Sequence, residues 1–399
     1  MNHETTTPSP AALHRAFTAR LADKGAIRSP RVHAAFEHVP RHLFLPDHPV
    51  EEAYTNQYVV THHDEDGTAI SSASQPSVVA MMLEQLDVQP GMRVLEIGAG
   101  TGYNAALLDE LVGPTGTVAT IDIEPDVTTA AREHLAATGH TSVHVLTGDG
   151  TAGAPGQGPF DRIIATTGVW DIPPAWWEQL TEGGRMVVPL RWRGLTRSLA
   201  LDEVGGCLVS RQARLCGFIP MQGQTGERTV ALAEGVSLHF DEDTPAAEGL
   251  RGVLDRPRAE AWSGVEIDGQ TPLQGMWMRL ACTEPGTGRM VTKPPALGSG
   301  LVFPAIPPLD PVLVHGESLA YLSVRPLGAD RPGSELGAVG HGPEGEALAR
   351  RVCVQAQAWN FNRNPAPQVT IYRAGTPGVA SNGGVVIDKP HTRVLVTAQ

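Results

Sequence analysis

Between residues 92 and 203 the chain alternates short apolar runs with stretches whose apolar residues recur every three or four positions. Runs at 92–97, 117–122, 142–146, 161–166 and 185–190 predict strands, and 103–111, 125–138 and 173–181 predict helices. Such alternation implies a mostly parallel α/β sheet covered on both faces, a Rossmann-like fold. Runs 197–203 and 207–217 flank Gly205-Gly206 and predict a hairpin that forms an antiparallel edge. Ahead of the sheet, 11–22 and 31–38 have helical spacing, and a further helix is expected from about Val78 to Leu86. Residues 55–76 are polar and read as a long functional loop, and 1–10 as disordered. After about 225 the pattern changes. Strand-like runs at 275–282, 318–325, 368–373 and 392–397 and a helix at 344–359 are separated by Pro- and Gly-dense segments. This predicts a first domain over 11–225 and a smaller α+β accessory domain over 226–399.

The formal charge of −13 argues against a nucleic-acid backbone as partner, since phosphate binding needs a positive stripe. Cys207, Cys216, Cys282 and Cys353 form no Cys-x-x-Cys pair and have no His at ligand spacing, so neither zinc nor a disulfide framework is implied and reduced thiols are expected. His62, His63, Asp64, Glu65 and Asp66 lie next to one another on one segment, which rarely converges on a metal ion, and no metal is expected. The polar N-terminus has no signal-peptide core, and no stretch nears the roughly 20 apolar residues of a membrane span, so a cytoplasmic protein without a membrane partner is expected.

The chemistry concentrates at Val94-Leu95-Glu96-Ile97-Gly98-Ala99-Gly100-Thr101-Gly102-Tyr103. A strand runs into three alternating glycines and then a helix, which lets a flat ligand lie on bare backbone. The spacing differs from the Gly-x-Gly-x-x-Gly dinucleotide fingerprint. Glu96 sets a carboxylate beside the loop, which repels a pyrophosphate and suits a cation, so S-adenosylmethionine (SAM) fits better than NAD. Asp122 and Ile123 end the second strand, where an acid accepts ribose hydroxyls. Asp149-Gly150 ends the third, where a carboxylate can accept an adenine amine; the plain alternative is a turn aspartate. Trp170, Trp176 and Trp177 either wall an acceptor cleft or simply pack a helix.

Val39-Pro40-Arg41-His42-Leu43-Phe44-Leu45-Pro46, Ala53-Tyr54, Ser74-Gln75-Pro76, the glycine loop, Gly148-Asp149-Gly150, Pro159-Phe160-Asp161, Ile172-Pro173 and Phe218-Ile219-Pro220-Met221 resemble, in order and spacing, the protein L-isoaspartyl (D-aspartyl) O-methyltransferases. The resemblance spans residues 30 to 221. It implies methyl transfer from SAM to a carboxylate of an aspartyl or isoaspartyl residue in a peptide or protein, after which the ester closes to a succinimide. It also implies that Ser74 is the active-site hydroxyl. The residues alone leave Ser74 as a helix cap instead, and two extra residues in Ala69-Ile70-Ser71-Ser72-Ala73-Ser74 leave Ser71 and Ser72 open. The polar link 58–67 and the tail 226–399 depart from the repair enzymes. That extended layout is similar to homologues that mature ribosomally made peptides, so a dedicated maturase is expected, with general isoaspartate repair as the alternative and a SAM-binding scaffold as a third reading.

Overall fold

The structure, a computed structural model, describes residues 8–224, 226–241, 244, 248–328, 331–363, 367–379, 381 and 384–398. Most of the expected 1–10 segment lies outside these residues; Ser9 is the cap and Pro10 the first residue of helix Pro10–Asp23. Five parallel strands lie in the order Leu180–Trp192, Phe160–Ala165, Arg93–Ile97, Thr117–Asp122, His144–Thr147. Val94, Leu95 and Ile97 are at most 2% exposed, since helices cover both faces. The chain enters at the middle strand, builds outward to one side, then crosses over and builds to the other. A crevice opens where that order reverses, outside the carboxyl ends of Arg93–Ile97 and Phe160–Ala165.

Residues 55–76 are not a loop. They fold into an antiparallel hairpin, Val59–His63 against Ala69–Ala73. Asp64 makes the turn, its Oδ1 accepting from the Asp66 and Thr68 amides, with Gly67 at φ +77°. Within these strands only Val59 and Ala73 are buried, so the hairpin covers a site rather than filling a core, and the usual apolar alternation is missing.

Seven antiparallel strands form a second sheet in the order Glu227–Ala233, Val236–Asp241, Thr287–Thr292, Leu309–His315, Ser318–Pro326, Ser334–His341, Arg258–Ile267. Helix Gly345–Phe361 packs on it. The run 275–282, expected as a strand, is the helix Gln274–Thr283. Its apolar residues face two ways because it lies between the two sheets: Met276 and Leu280 enter the second core, while Trp277, Met278, Ala281 and Cys282 enter the first.

The chain then returns. Pro367–Arg373 pairs with Cys207–Leu215, and Thr392–Ala398 and Val385–Asp388 continue outward, so the first sheet has ten strands. The hairpin Leu195–Val204/Cys207–Leu215 is antiparallel as expected but is not the edge, and strand pairing does not follow a division at residue 226. Asp171, buried beside the first sheet, fixes the return by accepting from the His391 amide (2.6 Å) and Thr392 Oγ1 (2.5 Å). Lys389 Nζ donates to the carbonyls of Trp170 (2.5 Å) and Arg191 (2.6 Å). No helix among the described residues is long and apolar enough to cross a membrane.

Candidate active site

A cavity of about 980 Å³ fills the crevice, and its wall takes residues from both sheets and from the hairpin. At the cofactor end the three alternating glycines all have positive φ: Gly98 +98°, Gly100 +50° and Gly102 +86°. A side chain at Gly98 would strike Thr166 Oγ1 at 2.5 Å, so this glycine serves close packing. At Gly100 the nearest atom to an added Cβ is the Ser72 carbonyl at 3.7 Å, so bare backbone faces the cavity there. Ala99 is buried and also lines it.

Glu96 is fully buried. Thr120 Oγ1 donates to its Oε2 at 2.6 Å and Asn104 Nδ2 to its Oε1 at 2.7 Å. Burial raises its pKa to about 7 against the pull of those two donors, with Asp122 adding repulsion. Both oxygens are thus engaged by the chain itself, and Glu96 ties strand, loop and following helix together beneath the glycines. Asp122 Oδ2 accepts from the Gly100 amide at 3.1 Å, and the adjacent Ile123 is 40% exposed on the same wall. Asp149 Oδ1 caps its own turn through the Thr151 amide, and its exposed carboxylate faces the cavity. Gly150 closes beneath it: an added Cβ would lie 2.7 Å from Ile97, and its carbonyl accepts from Trp176 Nε1 at 2.8 Å. Trp176 and Trp177 are therefore packing residues, and the tryptophan in the cavity wall is Trp277, from the tail. Among the described residues no group of side chains could hold a metal ion.

Ser71, Ser72 and Ser74 all line the cavity. The Ser71 hydroxyl is engaged with Thr61 Oγ1 at 3.4 Å. Ser74 does not cap a helix: the cap of Pro76–Leu86 is Gln75, without a side-chain bond, and the Ser77 amide is satisfied by Asn56 Oδ1 at 3.0 Å. Instead Ser74 is held by its backbone. Arg41, 1% exposed, donates from Nη1 to the Ser74 carbonyl (3.0 Å) and from Nη2 to the Ala73 carbonyl (3.3 Å), and its guanidinium lies 5.7 Å from the Tyr103 ring centre. Tyr103, at the start of the helix after the glycines, is itself buried, and burial lifts its phenol well above the usual range. Desolvation lowers the Arg41 pKa to about 10, so it stays charged near neutral pH.

The family model for protein-L-isoaspartate(D-aspartate) O-methyltransferase matches residues 12–226, more than half of the chain. The chain belongs to this family. Its members are SAM-dependent carboxyl methyltransferases, and this chain is such an enzyme. The protein-L-isoaspartate O-methyltransferase of Methanopyrus kandleri is 41% identical over 209 residues, covering 52% of this chain and 90% of its own. That of Pyrococcus horikoshii is 35% identical over 212 residues, covering 52% and 92%. A solved structure of a protein-L-isoaspartate O-methyltransferase shares the fold over 90% of this chain and 96% of its own, with TM-score 0.50 at 23% identity. That likeness in fold covers too much of the chain to stop at residue 226, so it extends into the tail.

Within this methyltransferase, sequence reasoning missed the wall opposite the cofactor loop. Thr166 Oγ1 donates to the Gly98 carbonyl at 2.7 Å and pins the loop. The tail contributes Gln274, Trp277, Arg289 and the turn Ile306–Leu309, and the first sheet contributes Arg191. Arg191 lies near the end of the strand Leu180–Trp192, and nothing in its spacing marks it. The tail residues lack any motif and meet the cavity only through tertiary folding.

Proposed function

We propose that this enzyme methylates an aspartyl or isoaspartyl carboxylate of a peptide segment held between its two sheets. The observation that supports this reading is the shared cavity wall: the glycine loop and Ser74 on one side, and Trp277, Arg289 and Leu309 of the tail on the other. The cofactor residues would be Asp122 and Asp149 for hydroxyl and amine donors, Gly98, Ala99, Gly100, Gly102 and Gly150 for backbone surface, and Glu96, Ile123 and Tyr103 around them. SAM supplies the methyl group; a carboxylate is already ionised, so what this chain provides is position. Ser74, whose hydroxyl makes no hydrogen bond among the described residues, is free to donate to one acceptor oxygen. The methyl ester gives a neighbouring backbone nitrogen a better leaving group, and a succinimide forms without further help.

Dedicated maturation of one ribosomally made peptide is supported by the tail's share of the wall. General repair is supported by the names of the relatives and by the shared layout of the solved structure. Labelled SAM and a panel of unrelated isoaspartyl peptides separate them. A maturase gives kcat/KM values spread over more than about a hundredfold, with most peptides poor; comparable values across the panel establish repair. Ser74→Ala is expected to lower kcat by about ten- to a hundredfold, a loss of roughly 1.4–2.7 kcal/mol, with SAM affinity kept. Loss in Ser72→Ala instead would move the role to that hydroxyl.

Glu96 adds a pH signature. With its pKa raised to about 7, it is largely protonated below that value in the free enzyme. A sulfonium nearby favours the anion, so binding SAM should release a proton. Affinity then rises with pH up to about 7 and levels off above it. The same raised pKa means that its contribution to folding is full below the unfolded value near 4.5 and lost as pH rises through 7. Calorimetry in buffers of different ionisation heat measures the proton release, and Glu96→Gln should abolish it. A pH-independent affinity in the wild type removes Glu96 from the cofactor field.

A further inference from the structure

The cavity is electrically divided. Among the described residues, its charged lining is Glu96, Asp122, Asp149, Arg191 and Arg289. The three acids sit at the ends of three adjacent strands. Arg191 sits on Leu180–Trp192, two strands from Glu96 and four residues beyond Val187, which is in register with Glu96 through Ile164, so about 10 Å across the sheet and about 13 Å along the strand separate their positions. Arg289 joins it from the second sheet. Both guanidinium groups bind one carboxylate: Arg191 Nη2 donates to Glu227 Oε2 at 2.5 Å and Arg289 Nη2 to the same oxygen at 3.2 Å. His239 Nδ1 stands 3.7 Å from it. Burial alone would raise the Glu227 pKa, yet His239, Arg289 and Arg191 hold it down to about 2, so it is a fixed anion. Two fixed cations against one fixed anion leave a surplus positive charge in the wall of a chain whose net charge is −13.

The pair is held in place between the two sheets. Arg289 Nε is buried without a hydrogen-bond partner. A guanidinium has five donors in a rigid fork, and the contacts to Glu227 engage only part of them. The approach of the two sheets fixes the distance. Gly194, in the turn after Arg191 with φ +77°, has the Gly288–Arg289 backbone where its Cβ would stand, with the Arg289 amide nitrogen 2.7 Å away. Apolar groups rim the mouth: Tyr58, Leu215 and Leu309 are 64%, 46% and 42% exposed and all line the cavity.

We propose that Arg191 and Arg289 form an anion subsite that binds a second carboxylate of the acceptor peptide, separate from the one that is methylated. This rests on the reading of the cavity as a peptide site and adds a sequence requirement to it. The enzyme selects acceptors with an acidic group a short distance along the chain from the target residue, flanked by apolar side chains.

The test uses the full-length protein and synthetic nonapeptides, acetylated and amidated, with isoaspartate or aspartate at the centre. Glu replaces Gln at each of the three positions on either side in turn, and one further peptide carries a free C-terminal carboxylate. Affinity is measured by calorimetry with S-adenosylhomocysteine present, and KM and kcat with labelled SAM. Glu at one position should lower Kd and KM about tenfold with kcat little changed. Arg289→Gln and Arg191→Gln should each flatten that scan, with melting curves reporting whether each variant is folded. If only the free C-terminus gives the gain, the bound group is the peptide's terminal carboxylate. If no peptide is methylated but the affinity scan still has its peak, the proposed reaction fails and the subsite stands. A flat scan in the wild type, or one unchanged in both folded variants, overturns the subsite and leaves the cluster as an ion-paired seam between the sheets.

Discussion

A protein lacking residues 367–399 should fail to fold. This segment supplies Val369, Ile371, Val394 and Val396, each essentially unexposed, to the core under the parallel strands. Full burial of an aliphatic side chain contributes about 1.5–3 kcal/mol, so these four account for about 6–12 kcal/mol. Whole domains are stable by only about 5–15 kcal/mol. Removal also strips the partner of Cys207–Leu215, whose Ser210 Oγ accepts from the Val369 amide at 2.7 Å, and leaves Asp171 buried without the His391 and Thr392 donors. The expected result is insoluble protein or loss of a cooperative thermal transition. A soluble truncation melting within a few degrees of the full chain would refute it.

Arg41→Met should damage both stability and turnover. Methionine approximates the bulk of the side chain but leaves the Ala73 and Ser74 carbonyls without donors in a buried place. An unpaired buried acceptor costs about 1–3 kcal/mol, so the two together predict a loss of about 2–6 kcal/mol in unfolding free energy. Ser74 then loses the bond that fixes its backbone, and a misplacement of about 1 Å can cost a hundredfold in rate. The fall should appear in kcat, with KM for the peptide and affinity for SAM changed much less. Arg41→Lys should recover part of the stability, since one donor reaches one carbonyl, and less of the rate. A variant destabilised as expected but with wild-type kcat at low temperature would make Arg41 a purely structural residue.

The parallel strands were legible because the central ones are largely buried and carry clustered apolar residues, Val94-Leu95 and Val118-Ala119 among them. The glycine loop was legible because positive φ leaves few residue choices at Gly98, Gly100 and Gly102. The hairpin 59–73 was not, since its faces meet solvent and cavity and its apolar residues, Val59-Val60 and Ala69-Ile70, sit side by side rather than alternating with polar ones. Helix Gln274–Thr283 was read as a strand because burial between two sheets erases the one-sided stripe that marks a surface helix. The role of Arg41 was hidden because a buried arginine answering backbone carbonyls leaves no acidic partner to find in the sequence. Arg191 and Arg289 meet only because two distant strands face each other across Gly194.

The return of the chain to its first sheet sets a timetable for synthesis. Cys207–Leu215, an edge until its partner Pro367–Arg373 is made, precedes that partner by about 155 residues, and translation at about 5–20 residues per second puts roughly 8–31 s between them. Through that interval the nascent sheet presents an open ladder of amides and carbonyls with an apolar face beside it, the kind of edge that pairs with the wrong chain. Arg211 and Arg214 lie on that strand, and Arg211 is tied to Asp202 at 2.8 Å. Both arginines are exposed, and charged side chains on an edge strand discourage edge-to-edge pairing with a second copy.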